Sequence, residues 1–277
     1  MIGNKTENSA EARVFASRPS NPVALSPAVA RVRDYWNKRI HDLEITQHPA
    51  GTKAFFKELD DYRFEKLDYL PRIVDFSAYR GRQLLEVGCG VGTDLVRFAN
   101  GGAIVTGVDL AEVSTKLARE NLELNGLTGD ILTMDGEDLD FEDATFDVVY
   151  AHGVLQYTND PQKMIGEIHR ALKPGGTAIL MVYNRFSWLN AMSQIMHVGL
   201  EHDDAPVFRV FSRREFHDLL QPFRQFRIIP ERFPVPSRLH RGWKALMYNR
   251  IFVPAFNLLP RRLIRPLGWH LMAIATK

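Results

Sequence analysis

The segment LLEVGCGVGTD, residues 84–94, constrains the fold more than any other stretch of this chain. An apolar run carries the acid Glu86 near its end, and glycines then follow at alternate positions, Gly88, Gly90 and Gly92. A second apolar run, residues 104–108, ends in Asp109. Glycines after a strand let the backbone approach a ligand, and an acid that ends the next strand accepts hydrogen bonds from ribose hydroxyls. The pattern therefore predicts a parallel α/β sheet that binds a nucleoside.

The spacing of the glycines separates two classes of nucleoside ligand. A dinucleotide loop reads G-x-G-x-x-G, but Thr93 occupies the position of its last glycine. The negative charge of Glu86 would repel a pyrophosphate and favours a cationic ligand. Residues 86–92 resemble the first motif, E-x-G-x-G-x-G, of the class I S-adenosylmethionine-dependent methyltransferases.

Two later stretches extend the resemblance. Residues 131–139, ILTMDGEDL, are similar to the family's third motif, in which an acid, here Asp135, accepts from the adenine amino group. The run from residue 146 to LKPGG at 172–176 is also typical of the family. The resemblance implies S-adenosylmethionine as cofactor and S-adenosylhomocysteine as product. It assigns cofactor binding to Glu86, Gly88, Cys89, Gly90, Thr93, Asp109, Leu110, Asp135, Gly136, Glu137 and Ala151.

The alternation of strands and helices predicts the fold class. We expect an α/β fold with a doubly wound, mostly parallel, seven-stranded Rossmann-like methyltransferase sheet, helices on both faces and an antiparallel last strand. Strands are predicted near residues 84–87 and 131–134 and over 104–108, 146–150, 177–182, 226–229 and 271–276. Helices are predicted over 93–99, 112–124 and 161–172, and Ser212 with Glu215 forms the sequence pattern of a capping box.

Composition and patterning divide the chain into five segments. They are a flexible tail (1–27), N-terminal helices that cap the cofactor site (28–78), a catalytic core (79–231), a basic amphipathic insertion (232–270) and a final core strand (271–277). No apolar stretch is long enough for a membrane span and no signal peptide is visible, so we expect a cytoplasmic protein. The single cysteine excludes an internal disulfide.

The N-terminal helices, predicted over 29–43 and 53–70, carry aromatic and basic side chains. Helices that precede the first strand of this fold commonly close over the cofactor. The residues expected to contact its methionine end are Tyr35, Trp36, Tyr62 and Arg63. Alternatively, these aromatic faces simply pack on the core.

The insertion has a segregated charge. Residues 232–277 contain nine Lys or Arg and no Asp or Glu, although the whole chain is only +2. Aromatic and aliphatic residues alternate with the bases, which favours peripheral contact with anionic lipid or a lid over an amphiphilic substrate. The alternative is an appendage packed on the sheet, with its arginines extended to solvent. Nucleic acid is a poor fit, because the interleaved residues are mostly aliphatic and no nucleic-acid module is visible.

Methyl transfer from a sulfonium needs mainly alignment of the nucleophile, so no catalytic triad is expected. If a base is used, His152 and Tyr157 are the candidates, because both lie in the loop after the fourth strand. A structural role for His152 is the alternative, and Gln156 stands where similar proteins often have a second histidine. The histidines are scattered, so the sequence predicts no metal site.

The sequence thus predicts a methyltransferase that acts on O, N, S or C of a small or amphiphilic acceptor. Three alternatives remain: a methyltransferase of a membrane-associated lipid or quinone, a non-catalytic nucleoside-binding sensor or scaffold, and a nicotinamide oxidoreductase. The oligomeric state stays open.

Overall fold

The computed structural model describes residues 25–237 and 242–277 of the chain. A seven-stranded sheet with the order β3-β2-β1-β4-β5-β7-β6 forms its centre. The strands are β1 Gln83–Val87, β2 Ile104–Asp109, β3 Asp130–Thr133, β4 Phe146–His152, β5 Leu172–Tyr183, β6 Gln225–Glu231 and β7 His270–Thr276. The pairs among β1 to β5 are parallel, whereas β7 runs antiparallel to both β5 and β6. The predicted fold class, including the antiparallel last strand, is confirmed.

Eleven α-helical segments surround the sheet in the described part of the chain. They are α1 Pro27–Asn37, α2 Lys53–Lys66, α3 Leu70–Ile73, α4 Thr93–Asn100, α5 Glu112–Leu124, α6 Pro161–Ala171, α7 Trp188–Met196, α8 Arg213–Leu219, α9 Trp243–Met247, α10 Val253–Asn257 and α11 Arg261–Ile264. A π-type turn, Tyr248–Phe252, joins α9 to α10. None of the helices in residues 25–237 and 242–277 is long and apolar enough to cross a membrane.

Alternate residues of each central strand face two different hydrophobic cores. In β5, Ala178 and Leu180 belong to one core, which α6 and α8 cover, while Ile179 and Met181 belong to the other, which α4 and α5 cover. This alternation follows from the two-residue period of a strand. Because both faces of the sheet are buried, apolar residues are needed at odd and even positions of each strand, and the strand sequences are nearly continuous hydrophobic runs. The result is a sheet with helices on both faces.

Several predicted element bounds are wrong. The first helix ends at Asn37, with Lys38 as its C-cap, rather than at residue 43, and a separate 3₁₀ turn follows at Leu43–Ile45. The second ends at Lys66, and the chain turns so that Tyr69 and Leu70 become fully buried. Strand β5 begins at Leu172, five residues earlier than predicted, although its pairing with β4 is irregular there.

Two of the five predicted segments extend beyond the described residues. Residues 1–24 of the predicted flexible tail lie outside the described residues, and so do residues 238–241 of the insertion. The capping box of α8 is present, since Ser212 and Glu215 accept from each other's backbone N–H groups. The described insertion packs its inner face on α7, where Trp188, Phe256 and Ile264 are buried together.

Candidate active site

A cavity lies at the carboxyl ends of β1, β2 and β4, where the chain order of the sheet reverses between β1 and its two neighbours. Open α/β sheets bind ligands at this switch point. Most of the predicted site residues line the cavity: Trp36, Arg63, Glu86, Gly88, Cys89, Gly90, Thr93, Asp109, Leu110, Asp135, Gly136, Glu137, His152 and Tyr157.

Two of the predicted site residues do not line this cavity. The Tyr35 hydroxyl turns away from it and donates to Asp204 Oδ1 at 2.6 Å. Ala151 is fully buried within a hydrophobic core, while the next residues, His152 to Val154, reach the cavity. Tyr62, named with the N-terminal helix residues, is also absent from the lining. Successive strand residues point to opposite faces, which explains why Ala151 and His152 differ.

The glycine loop forms the floor of the cavity. Gly88 has φ +71°, and a Cβ there would lie 2.3 Å from Val154 Cγ2, so only glycine fits. Gly90 has φ +52°, and a Cβ there would meet nothing within 4 Å. The loop backbone at Gly90 is therefore left-handed and faces open space in the cavity.

Asp109 fixes this loop against the end of β2. Its Oδ2 accepts from the Gly90 N–H and its Oδ1 from the Ala111 N–H, both at 2.9 Å. Burial raises the pKa of Asp109, and these backbone donors oppose the rise. Each carboxylate oxygen keeps a second acceptor site for a ligand hydroxyl.

Glu86 carries a buried oxygen without a partner. The side chain is 4% exposed, and no described group is within hydrogen-bonding distance of Oε2. Burial raises the pKa of Glu86 well above its ordinary value, and the neighbouring charge of Asp94 adds to the rise. Since buried polar atoms are normally paired, this oxygen is available to accept from a ligand in the cavity.

The two acids of the third motif have different environments. Asp135 is partly exposed to the cavity, and its Oδ1 accepts from the Glu137 N–H at 2.9 Å. Glu137 is buried, and its Oε1 accepts from the Thr158 hydroxyl and from the N–H groups of Asn159 and Asp160. The Glu137 carboxylate therefore holds the loop after β4, whereas the Asp135 carboxylate remains free to accept from a ligand.

A buried ion pair joins α2 to α4 beside Glu86. Arg63 Nε donates to Asp94 Oδ1 at 2.7 Å, and Nη2 donates to Oδ2. The Tyr150 hydroxyl donates to the same carboxylate at 2.7 Å. Burial would raise the pKa of Asp94, but the Arg63 charge and these hydrogen bonds lower it. The ion pair thus holds α2 against the start of α4, directly after the glycine loop.

His152 has partners at both ring nitrogens. Arg63 Nη2 lies 3.3 Å from Nδ1, and because arginine only donates, Nδ1 must accept. In the neutral ring Nε2 then carries the proton and donates to the Tyr69 oxygen, 3.1 Å away. Burial and the Arg63 charge lower the pKa of His152 to about 3. This environment favours an orienting role over a general base.

The same logic applies to His270 on the other side of Tyr69. Arg232 Nη1 donates to His270 Nε2 at 3.0 Å, so His270 Nδ1 donates to the Tyr69 oxygen at 2.6 Å. The Tyr69 proton then points to Met272 Sδ, at 3.8 Å. The two histidines are therefore fixed as neutral donors towards one buried tyrosine.

Tyr157 forms part of the wall at the end of the cavity remote from the glycine loop. Its ring packs edge-on against Trp36 with 5.1 Å between centroids, and its hydroxyl lies 3.3 Å from the Glu201 carbonyl oxygen. Burial raises the pKa of Tyr157, so its hydroxyl is a neutral donor. The predicted role of Tyr157 as a base is not favoured by this environment, although its place on the cavity wall agrees with substrate contact.

Charged residues that the sequence did not single out complete this remote end, which we call the acceptor end. Lys66 Nζ donates to Asp42 Oδ1 at 2.9 Å and to Glu201 Oε1 at 2.9 Å. Arg232 lies 3.9 Å from Glu201 Oε2, and His41 lies beside both acids. The remaining lining is apolar or aromatic and includes Trp36, Ile40, Leu67, Tyr157, Met181 and Tyr183. Residues 42 and 201 come from distant segments, so no local motif could have revealed the cluster.

Comparison with known proteins agrees with this geometry. The family model described as "Methyltransferase domain" matches residues 85–180. The ubiquinone biosynthesis O-methyltransferase of Idiomarina loihiensis is 40% identical over 121 residues, which are 43% of this chain and 50% of that protein. The protein of the same name from Cereibacter sphaeroides is 30% identical over 179 residues, 61% of this chain and 67% of that one.

A solved structure with the same fold covers more of the chain. It is the magnesium protoporphyrin IX methyltransferase of Synechocystis, with a TM-score of 0.58, 16% identity and coverage of 90% of this chain and 99% of that one. At this identity the likeness concerns the fold. The chain spans about half the length of the first curated relative above. The family model, residues 85–180, does not include His41, Lys66 or Glu201 of the acceptor end.

The ion pair of Arg63 and Asp94 gives a test of stability. We expect Arg63→Met to lower the free energy of unfolding by about 3–5 kcal/mol, because it leaves the Asp94 carboxylate buried without its cation. Arg97→Met is the matched control, since Arg97 is 37% exposed and pairs with Asp60 at the surface, where loss of a pair costs at most about 1 kcal/mol. Urea unfolding at neutral pH measures both.

The pH dependence distinguishes a charge effect from a packing effect. The lowered pKa of Asp94 adds stability that is present above the ordinary pKa of an aspartate and is lost as the pH falls through the lower, folded value. Arg63→Met should remove this acid-side loss. Equal destabilisation by the two substitutions, with unchanged pH profiles, would contradict the importance of the buried pair.

Proposed function

The chain belongs to the class I S-adenosylmethionine-dependent methyltransferases, and we propose that it transfers the methyl group to an oxygen of a small amphiphilic, phenol-like acceptor. S-adenosylmethionine supplies a methyl group on a sulfonium, which leaves a neutral thioether after in-line displacement. The observation that carries the proposal is the unpaired Glu86 oxygen beside the left-handed glycine loop. It lies at one end of a cavity whose other end combines aromatic and charged side chains.

The residues present fit the cofactor. Glu86 Oε2 is a buried acceptor without a donor, which suits the ammonium of the methionine part. Asp109 keeps acceptor sites for the ribose hydroxyls, and Asp135 faces the cavity with an oxygen for the adenine amino group. Gly90 leaves the space that a side chain would fill. We assign cofactor binding to these four residues, with Thr93, Cys89 and Leu110 lining the same end.

The acceptor end supports an amphiphilic substrate. Trp36, Tyr157 and Tyr183 offer aromatic faces, and Lys66 and Arg232 bring positive charge into the same space. An aromatic ring with a polar oxygen satisfies both kinds of surface. The relatives named for ubiquinone biosynthesis O-methylation favour oxygen as the atom methylated. The chain's residues would bind and orient this acceptor, and His152, with both nitrogens engaged, would hold the Arg63 side chain in place.

Glu86 provides a test of cofactor binding. Glu86→Gln should weaken S-adenosylmethionine binding about tenfold to 150-fold, equivalent to about 1.5–3 kcal/mol, because a charge-assisted hydrogen bond is lost. Burial raises the pKa of Glu86 in the free protein, and an ammonium binds the ionised form, so wild-type affinity should fall as the pH drops through that pKa. Calorimetric titration at several pH values measures both effects.

Glu123→Gln is the control for this test, since Glu123 is an exposed acid on α5. It should leave the affinity and its pH profile unchanged. If Glu86→Gln binds the cofactor as tightly as the wild type at every pH, Glu86 does not contact the ammonium.

Activity needs a separate assay. The protein should form S-adenosylhomocysteine from S-adenosylmethionine when catechols, with and without an isoprenoid tail, are supplied, and mass spectrometry should find one added CH₂ unit on the acceptor. Thiols, amines and lipid extracts form the comparison panel. Cofactor binding without turnover of any of them would support the sensor or scaffold alternative, and tight NAD binding without S-adenosylhomocysteine binding would support an oxidoreductase.

A lipid-associated acceptor is the second candidate, and the surface of the insertion supports it. Exposed apolar side chains alternate with exposed bases there: Trp243 (71%), Leu246 (60%), Ile251 (55%), Leu258 (85%) and Leu263 (71%), with Arg250, Arg261, Arg262 and Arg265. Since residues 232–277 contain no acid, this surface complements an anionic bilayer. The inner face of the same segment packs on Trp188, so packing and membrane contact use opposite sides.

Vesicle co-sedimentation tests this second candidate. Binding should require anionic phospholipid, and each of Arg261→Gln and Arg262→Gln should weaken it about fivefold, the equivalent of about 1 kcal/mol per base. Leu258→Asp should reduce binding further, whereas Leu132→Asp, on the opposite edge strand β3, should not. Equal sedimentation with neutral and anionic vesicles would reject the membrane contact.

A further inference from the structure

Three side chains that could ligate a metal meet at the acceptor end. His41 follows α1, whereas Glu201 and His202 follow α7. One nitrogen or oxygen from each lies within 4.8 Å of the other two, and no other group of this kind occurs in residues 25–237 and 242–277. His41 and Glu201 also line the cavity.

The tautomer of His202 follows from its neighbours. The Tyr35 hydroxyl donates its single proton to Asp204 Oδ1, at 2.6 Å, so its oxygen can only accept from other groups. His202 Nδ1 lies 3.3 Å from that oxygen and therefore carries a hydrogen. In the neutral ring, the lone pair is on Nε2. That atom points at His41 Nδ1, 2.9 Å away.

The neighbours of His41 also bear on its tautomer. Its Nε2 lies 3.3 Å from Glu201 Oε1 and 3.5 Å from Asp42 Oδ2, so the two carboxylates favour the tautomer with its hydrogen on Nε2. In a neutral His41 the lone pair is then on Nδ1. Two nitrogen lone pairs would face each other at 2.9 Å, which is repulsive unless a cation lies between them.

We propose that His41 Nδ1 and His202 Nε2 bind a divalent transition-metal ion of the zinc class, and that a Glu201 carboxylate oxygen turns from its present contacts with His41 Nε2 and Lys66 to complete the ligand set. Two imidazoles and one carboxylate are ligands that Zn²⁺ and Co²⁺ prefer and that Mg²⁺ and Ca²⁺ do not. At metal–nitrogen distances of about 2.0–2.1 Å in a tetrahedral site, two ligand nitrogens are about 3.3–3.4 Å apart. Small side-chain rotations convert the present 2.9 Å into this spacing.

The surroundings supply the hydrogen bonds that metal-bound histidines usually have. Ligating imidazoles donate their other N–H to an oxygen, which fixes the ring orientation. Tyr35 provides that oxygen for His202, and Asp42 provides it for His41. Tyr35 therefore lies behind the proposed ion, outside the cavity, where Arg39 and Asp204 hold its hydroxyl.

The charges around the site determine the expected affinity for the metal ion. Asp42 and Glu201 are negative, but Lys66 contacts both, and Arg232 lies 3.9 Å from Glu201. These cations oppose a divalent ion, so we expect moderate affinity and competition by protons. Substitution of Lys66 should therefore tighten binding, in contrast to substitution of a ligand.

An ion with three protein ligands keeps an open coordination position, as in catalytic zinc sites. Here that position is adjacent to the cavity, where an oxygen of the acceptor would occupy it. The assignment of the acceptor oxygen rests on the proposed function, whereas the metal site itself does not rest on it. The ion would also hold the segment after α1 to the segment after α7 across the acceptor end.

Metal binding can be measured without turnover. Untagged protein, freed of metal with a chelator, is titrated with Co²⁺ by visible absorbance and with Zn²⁺ by calorimetry at neutral pH. We expect one site, weakened more than about 100-fold by His202→Ala and by His41→Ala, and about 10–100-fold by Tyr35→Phe, which removes only the hydroxyl. Lys66→Met should tighten it at least about tenfold.

His217→Ala and Tyr79→Phe are the controls, since His217 is on α8 and Tyr79 packs against Phe98 of α4, and neither should change binding. Circular dichroism checks that every variant is folded. Wild-type affinity no higher than that of His202→Ala, or equal effects of His217→Ala, would overturn the proposal and leave a proton as the cation between the two rings. S-adenosylmethionine titration of the same samples separates this failure from failure of the proposed function.

Discussion

The buried ion pair between Arg63 and Asp94 is the interaction on which the site depends. Asp94 is in the first turn of α4, directly after the glycine loop, and is 2% exposed. A carboxylate at that depth needs a cation, and only a residue from outside the sheet, Arg63 on α2, supplies it among its described contacts. The N-terminal helices are therefore held over the cavity by the charge requirement of the core.

The same arginine links the two halves of the cavity. On one side it moderates the rise in the pKa of Glu86, and on the other it donates to His152 Nδ1. His152 in turn donates to Tyr69, which also accepts from His270, and Arg232 fixes His270. A chain of hydrogen bonds thus runs along the wall of the cavity from the cofactor end to the acceptor end. Because Arg63 and Tyr69 occupy both ring nitrogens of His152 in this chain, the candidate catalytic histidine has no free lone pair.

The cofactor end could be predicted from the sequence because its chemistry is local. Glu86 and the glycines occupy one segment of a strand and turn, and Asp109 ends the next strand, so a parallel sheet must bring them together. Helix α5 was predicted at its observed bounds, Glu112–Leu124, because an apolar stripe and Asn125-Gly126 define it. The predicted bounds were wrong where the apolar pattern continues beyond the end of the helix, as after Asn37.

The acceptor end could not be predicted, because its contacts join residues far apart in the chain. Lys66 and Glu201 are 135 residues apart, and His41 and His202 are 161 apart. Each residue taken singly has the sequence pattern of an ordinary surface position, and its partner is set by how α1, α2 and the segment after α7 pack over the sheet. A sheet edge fixed by backbone geometry can therefore retain one cofactor while the segments above it change the acceptor. Packing between distant elements brings the charges, histidines and aromatic rings of the acceptor end together. Two of the nine histidines that the sequence scatters, His41 and His202, approach within 2.9 Å there.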